Sequence, residues 1–391
     1  TILPFTFIYL WRLSFLNQTH SDMPRNKLLQ GYAGRRCLFG SCLFFNLLFF
    51  SCTGGRATFV CKPCNAACDD LIFDKPGQCP YCKMPLVKER VLSKINIETG
   101  SGYFQIKGST DSLVKSITVF YYKPRNFQAD AEILLVLPGS GRNAESYRNA
   151  WIEESEKYGM LILSLMYPER MYSFEDYHLG GLVKTSNLEH RVIMSETSNI
   201  AWLDEAELDL YPNTDPEKWI FRDFDRIFEL AKAATNSTQQ KYHLFGHSAG
   251  GHVLHRYALF GASPKVDKIA VCNPSFYTLP DFEVRFPFGL KNAPMNPEEL
   301  GQAFEKKLIL FLGELDNEHE TNGVFLRSKT ADEQGLHRLA RGRNFFRRSK
   351  ETAAQMNQSF NWKMEVVPQV GHDHRRMGDA VGKYLFEKKE N

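Results

Sequence analysis

Ser248 sits in the pentapeptide Gly246-His247-Ser248-Ala249-Gly250, a serine with a glycine two residues to either side. A serine hydroxyl attacks a carbonyl only when a base takes its proton, and the base needs a carboxylate to fix its tautomer. Candidates for both follow downstream. Asp316 ends Gly313-Glu314-Leu315-Asp316, just after the apolar run 308–312, and His372 ends Pro368-Gln369-Val370-Gly371-His372, just after the run 362–367. Glu314 and Glu318 are alternatives for the acid, and His374 for the base. The chemistry such a set supports is acyl transfer through a covalent intermediate on the serine.

The elements that must position these groups read as strands alternating with helices. Residues 113–122 are rich in β-formers, and 131–137 is a continuous apolar run of the kind found in strands buried on both faces. A helix is expected over 145–158, a second buried strand over 160–166 and an amphipathic helix over 216–235. A short strand at 242–245 runs into the pentapeptide, and 249–260 reads as the helix that follows it. Further strands are expected at 268–272, 308–312 and 362–367. This alternation implies an α/β fold with a mostly parallel sheet, and Ser248, Asp316 and His372 all fall at strand C-terminal ends, where active-site loops gather.

A serine at a sharp strand-to-helix turn, followed along the chain by an acid and then a histidine, resembles the α/β-hydrolase superfamily. The resemblance covers residues 103–391 and is nearest to esterase and polyhydroxybutyrate-depolymerase-like branches. It implies a serine hydrolase that cleaves a small or polymeric carboxylic ester with no catalytic cofactor. It implies too that Pro138-Gly139-Ser140-Gly141, after the run 131–137, supplies one oxyanion-hole N–H, and that Ala249 supplies the other. Ser140 is the chosen loop donor, with Gly139 and Gly141 as alternatives. Peptidases and thioesterases use the same triad, and a vestigial body on a metal-binding surface lipoprotein is the reading from another class. The connection 167–215, rich in aromatic and acidic residues, is expected to be a pocket wall or lid, or ordinary surface packing. The basic stretch 338–350 is expected to be a solvated helix face.

Eight of the nine cysteines precede this body, and only Cys272 lies within it. Cys61-Lys-Pro-Cys64 and Cys79-Pro-Tyr-Cys82 are two C-x₂-C knuckles, each aiming two thiolates at one point, which suits a closed structural zinc site. Residues 59–87 resemble the small heavy-metal-binding, zinc-ribbon-like domain, so a module over 56–90 is expected with Cys61, Cys64, Cys79 and Cys82 as ligands. Cys68 is a fifth candidate. Disulfides are the competing reading if the chain is exported.

The N-terminal stretch reads as an address. Met23 is the expected start, Arg25, Lys27, Arg35 and Arg36 form a basic region, and residues 37–52 carry no charge. The end of that run resembles a bacterial lipoprotein signal with Cys52 as the acylated residue, although Phe50 is bulky for that motif. Arg35-Arg36 could also open a twin-arginine signal. The expectation for residues 1–52 is therefore a leader and signal peptide, with export to the bacterial cell envelope and a lipid anchor. The formal charge of +3 comes from this segment: without residues 1–51, which hold Arg12, Arg25, Lys27, Arg35 and Arg36 against Asp22, it is −1. That leaves no electrostatic case for nucleic acid as a partner. The sequence does not indicate an oligomeric state.

Overall fold

The computed structural model of the chain describes residues 59–61, 68, 71–88, 95–108 and 115–387. The expected leader, with Met23 and the lipidation candidate Cys52, lies outside the described residues, as does Cys64. Among the described residues no helix is long and apolar enough to cross a membrane.

Eight strands form the central sheet: β1 (Gly100–Lys107), β2 (Ser116–Lys123), β3 (Ile133–Leu137), β4 (Leu161–Met166), β5 (Tyr242–His247), β6 (Val266–Cys272), β7 (Lys307–Gly313) and β8 (Lys363–Val367). Their order across the sheet is β8-β7-β6-β5-β3-β4-β2-β1. Strands β3 to β8 are mutually parallel, while β2 is antiparallel to both of its neighbours. The sheet is flanked by α1 (Ala144–Ala150), α2 (Ile152–Tyr158), α3 (Phe221–Thr235), α4 (Ala249–Phe260), α5 (Pro297–Phe304), α6 (Arg338–Gln355) and α7 (His374–Phe386).

Strand pleating explains why β3 is apolar throughout. In β3, Ile133, Leu135 and Leu137 join the core beneath α3 to α6, while Leu134 and Val136 face the opposite layer with Trp151, Met377 and Val381. All five β3 side chains are fully buried, and burying each such side chain contributes about 1.5–3 kcal/mol. A strand covered by helices on both faces has no polar positions to alternate.

Three local expectations change. The helix expected at 145–158 is two helices, because buried Trp151 leaves helical geometry (φ −99°, ψ 6°) and sets its ring edge-on to Phe245 at 5.0 Å. The helix expected from 216 begins at Phe221, after a short 3₁₀ turn at Pro216–Lys218. The third correction concerns the basic stretch. Arg343, Arg347 and Lys350 are solvated on α6, but Arg338 and Arg341 are buried. They share the inner face with Gly342, Phe345 and Ser349, three, four and seven residues apart as helix geometry requires.

The connection 167–215 is divided. Tyr167, Tyr172 and Tyr177 are fully buried, and the Tyr177 hydroxyl donates to the Pro138 carbonyl at 2.7 Å. The outer part carries short strands, of which Ile200–Leu203 pairs in parallel with Phe325–Arg327, and it leaves Trp202 and Tyr211 exposed. Its inner half is thus core that braces the loop after β3.

The closest approach of a glycine to neighbouring backbone lies where β3, β5 and α4 meet. A Cβ on Gly246 would lie 2.3 Å from the Gly250 carbonyl oxygen, and one on Gly250 only 2.1 Å from that of Leu137. Both obstacles are backbone of buried elements, which cannot rotate aside. Gly250→Ala is therefore expected to destabilise the fold by at least about 1–3 kcal/mol. Urea unfolding would check this, and a variant with the wild-type midpoint would contradict the packing.

Candidate active site

Ser248 is the turn between β5 and α4. Its backbone is at φ 58°, ψ −114°, a conformation costly for a residue with a Cβ, and its N–H donates to the Cys272 carbonyl at 2.9 Å. The turn lifts the half-buried side chain above the sheet. The loop after β3 comes beside it, since a Cβ on Gly139 would lie 3.6 Å from the Ser248 Cβ. The Gly139 N–H is directed at the Tyr147 hydroxyl, which also bonds His247 Nδ1 at 3.2 Å. Among the described residues the Ser140 N–H has no intramolecular acceptor. Ala249 is the first residue of α4, so its N–H has no intrahelical partner.

The structure brings Asp316 and His372 together. Asp316 Oδ2 lies 2.8 Å from His372 Nδ1, and both side chains are at least nine-tenths buried. The alternatives stand apart from this pair. Glu314 is exposed and accepts the Gln369 N–H, Glu318 is exposed, and His374 stacks on Tyr147 with ring centroids 4.1 Å apart. His372 Nε2 is buried with no hydrogen-bond partner, so it is not bonded to Ser248 in this conformation. Such bonds are often long before substrate binds.

Several groups that hold the pair went unread in the sequence. Buried Asn273 accepts the Gly313 N–H at 2.9 Å and donates to the Gly371 carbonyl at 3.2 Å, tying the acid's loop to the histidine's. Glu320 Oε2 accepts the His372 N–H at 2.6 Å. Arg338 Nη1 donates to Asp316 Oδ1 at 2.9 Å. Helical spacing could have exposed Arg338, whereas nothing local marks Asn273 or Glu320, whose partners are distant in sequence.

Electrostatics keep the site's imidazoles neutral. Burial, then the Arg338 charge, lowers the His372 pKa, and Asp316 and Glu320 oppose this only in part. Burial alone would raise the Asp316 carboxyl, but its hydrogen bond to His372 and the Arg338 guanidinium together hold it below the ordinary range. Burial also pushes His247 well down and takes His374 to about 4.

A second cluster lies in the cysteine module, where Phe59–Cys61 pairs with Ile72–Phe73 and Leu86–Lys88 in a small antiparallel sheet. Cys61, Cys68, Cys79 and Cys82 present sulfurs that all lie within 4.8 Å of one another. The Cys61 and Cys82 sulfurs are 3.1 Å apart, well beyond the ~2.05 Å of a disulfide, and those of Cys68 and Cys61 are 3.9 Å apart. Four sulfurs at ~2.3 Å around a tetrahedral zinc would be about 3.8 Å apart, so the cluster fits that ion. Three of the expected ligands, Cys61, Cys79 and Cys82, are here, joined by Cys68.

No protein-family model and no curated protein matches the chain. Solved structures do. One is poly(aspartic acid) hydrolase-1 from Sphingomonas sp. KT-1, 30% identical with a TM-score of 0.62, over 75% of this chain and 100% of that one. Another is the poly(3-hydroxybutyrate) depolymerase from Bordetella parapertussis, 24% identical with a TM-score of 0.63, over 75% of this chain and 91% of that one. The second likeness is one of fold. The first spans the whole relative at an identity where kinship is shared as well as shape, and the chain belongs to the α/β-hydrolase superfamily.

Proposed function

We propose that the protein is a serine hydrolase that cleaves carboxylic esters, of small or polymeric substrates, through an acyl-enzyme on Ser248. The observation that carries this is the 2.8 Å contact between Asp316 and His372 Nδ1 at the same edge of the sheet as the Ser248 turn. His372 Nε2 takes the Ser248 proton as Oγ attacks the carbonyl carbon, and Asp316 steadies the imidazolium. The N–H groups of Ser140 and Ala249 hold the oxyanion. The intermediate then collapses, His372 gives its proton to the leaving alcohol, and water repeats the sequence on the acyl-enzyme. Amide hydrolysis on the same residues is the second reading, because the 30% identical relative is named for an amino-acid polymer.

We also propose that the four cysteines hold a structural zinc, which would cross-link a module too small to be stabilised by its own core. Four thiolates leave no coordination position for water, so no catalytic step is assigned there.

Ser248→Ala is expected to fold normally and to lose several orders of magnitude in kcat on p-nitrophenyl esters. His372→Ala should be nearly as damaging, with Asp316→Asn retaining more and His374→Ala most. Wild-type turnover by purified Ser248→Ala would end the proposal.

The base must be neutral to act, and the His372 pKa is lowered. The rate should therefore be full at neutral pH and fall only as pH drops through a value below the ordinary ~6.5 of imidazole. An acid limb in kcat/KM centred above that value would contradict the environment described.

The full chain prepared under reducing conditions should carry about one zinc, removable by a chelator. Cys68→Ser should abolish it. If elemental analysis finds the zinc undiminished in Cys68→Ser, the fourth ligand is Cys64.

A further inference from the structure

Arg338 opens α6 with its side chain almost wholly buried and faces two ways. Its Nη1 donates to Asp316 Oδ1 at 2.9 Å, which leaves Oδ2 for His372 Nδ1. Its Nη2 donates to the carbonyls of Gly323 at 2.9 Å and Val324 at 3.0 Å. Asn199 holds the same turn from the other side, with Nδ2 donating to the Gly323 carbonyl at 2.9 Å. Gly323 has φ +66°, and a Cβ there would lie 2.5 Å from His372 Cδ2 and 2.6 Å from Nε2. Bare backbone therefore lies against the working edge of the imidazole, where any side chain would strike the ring.

We infer that Arg338 is a positioning residue whose single guanidinium sets both the carboxylate that orients His372 and the Gly323 turn that closes over the Nε2 edge. This rests on the proposed triad. The orientation of the base and the room beside it are then fixed together. That room has a chemical use, because His372 must deliver a proton from Nε2 to the leaving group. The turn at Gly323 thus bounds the leaving-group side of the site. A guanidinium suits the task because its donors form a rigid planar fork that reaches several acceptors at once, whereas an ammonium is a point charge on a flexible stem.

The charged and titratable groups facing His372 are Asp316, Glu320, Arg338, His247 and His374. Arg338 opposes protonation of the imidazole, while Asp316 and Glu320 favour it. The rings of His247 and His372 are 4.5 Å apart, and His247 and His374 are both kept neutral chiefly by burial. Loss of the Arg338 charge leaves burial alone to oppose the two carboxylates, so the base protonates at higher pH.

The test uses full-length wild type, Arg338→Gln, Arg338→Lys and Gly323→Ala, with kcat/KM on p-nitrophenyl butyrate followed against pH and thermal melting as the check on folding. Arg338→Gln should lower kcat/KM at least about tenfold, as a misplaced base does, and should move the acid limb upward. Arg338→Lys should return the limb towards wild type while the rate stays low, because a restored charge does not restore the bridge. Gly323→Ala should lower kcat with the acid limb unmoved. A folded Arg338→Gln with kcat/KM within about twofold of wild type and an unmoved limb would overturn the inference. If Arg338→Gln does not fold, Arg338→Lys at the wild-type rate overturns it instead. Failure of a fluorophosphonate to label Ser248 in wild type would strike the proposed function itself, and wild-type labelling with indifferent Arg338 variants would strike only the role of Arg338.

Discussion

The site depends on a backbone contact. Gly250 and the Leu137 carbonyl approach so closely that not even a methyl group fits between them. That approach brings the end of β3 against the start of α4. The loop 138–141 and the first N–H groups of α4 consequently border the Ser248 side chain on two sides. Without it the strained turn at Ser248 would have no reason to persist, since its φ of 58° is stable only where surrounding packing over-determines it. The buried C-terminal ends of the strands on either side supply that packing, and a strand of five large apolar residues such as β3 has little freedom to shift.

Electrostatics then separate the roles of similar groups. Three histidines lie near one another at the strand ends, and burial disfavours the charged form of each. Of the three, only His372 has a carboxylate hydrogen-bonded to Nδ1, which stabilises the imidazolium once formed, whereas Asp373 favours the charged form of His374 through space alone. His247 turns its Nδ1 to the Tyr147 hydroxyl, and His374 lies flat on the Tyr147 ring. Asp316 is itself shared between His372 and Arg338. The arginine keeps the acid ionised but draws on the same carboxylate that supports the base, so the environment of His372 is a balance between opposing charges.

The parallel sheet was legible because continuous apolar runs have few alternatives, and the strand-end positions of Ser248, Asp316 and His372 were legible because each follows such a run. Strand edges were less so: β5 runs through to His247, past the glycine that suggested its end, and β1 over Gly100–Lys107 was not anticipated as a strand. Trp151 broke a helix that periodicity made continuous, since only the packing of its ring against Phe245 shows why. In 338–350 the density of charge obscured a helical pattern that was present. A run of arginines suggests solvent, yet Arg338 and Arg341 fall at the spacing of Gly342 and Phe345. The residues hydrogen-bonded to Asp316, His372 and their loops were hidden for a different reason. Asn273, Glu320 and Arg338 reach partners 22 to 98 residues away, and such pairings belong to the fold rather than to any local motif.

The same residues account for where the fold accepts cost. The Nε2 atoms of His247, His372 and His374 and the Nε of Arg338 are buried without partners, and each such atom costs about 1–3 kcal/mol. A body selected for stability alone would fill these positions with apolar side chains. These four lie together at the strand ends, next to the strained serine, while other buried atoms without a hydrogen bond, such as Ser164 Oγ, His243 Nδ1 and Arg256 Nε, are spread through the body. Unmet polar demand beside rigid packing is what a reaction centre requires, because a substrate or transition state that supplies the missing partners gains free energy the resting protein does not have. The unpartnered Nε2 of His372 is the clearest instance: in the proposed reaction it takes the proton of Ser248 and then gives it to the leaving group, which arrives only with the substrate.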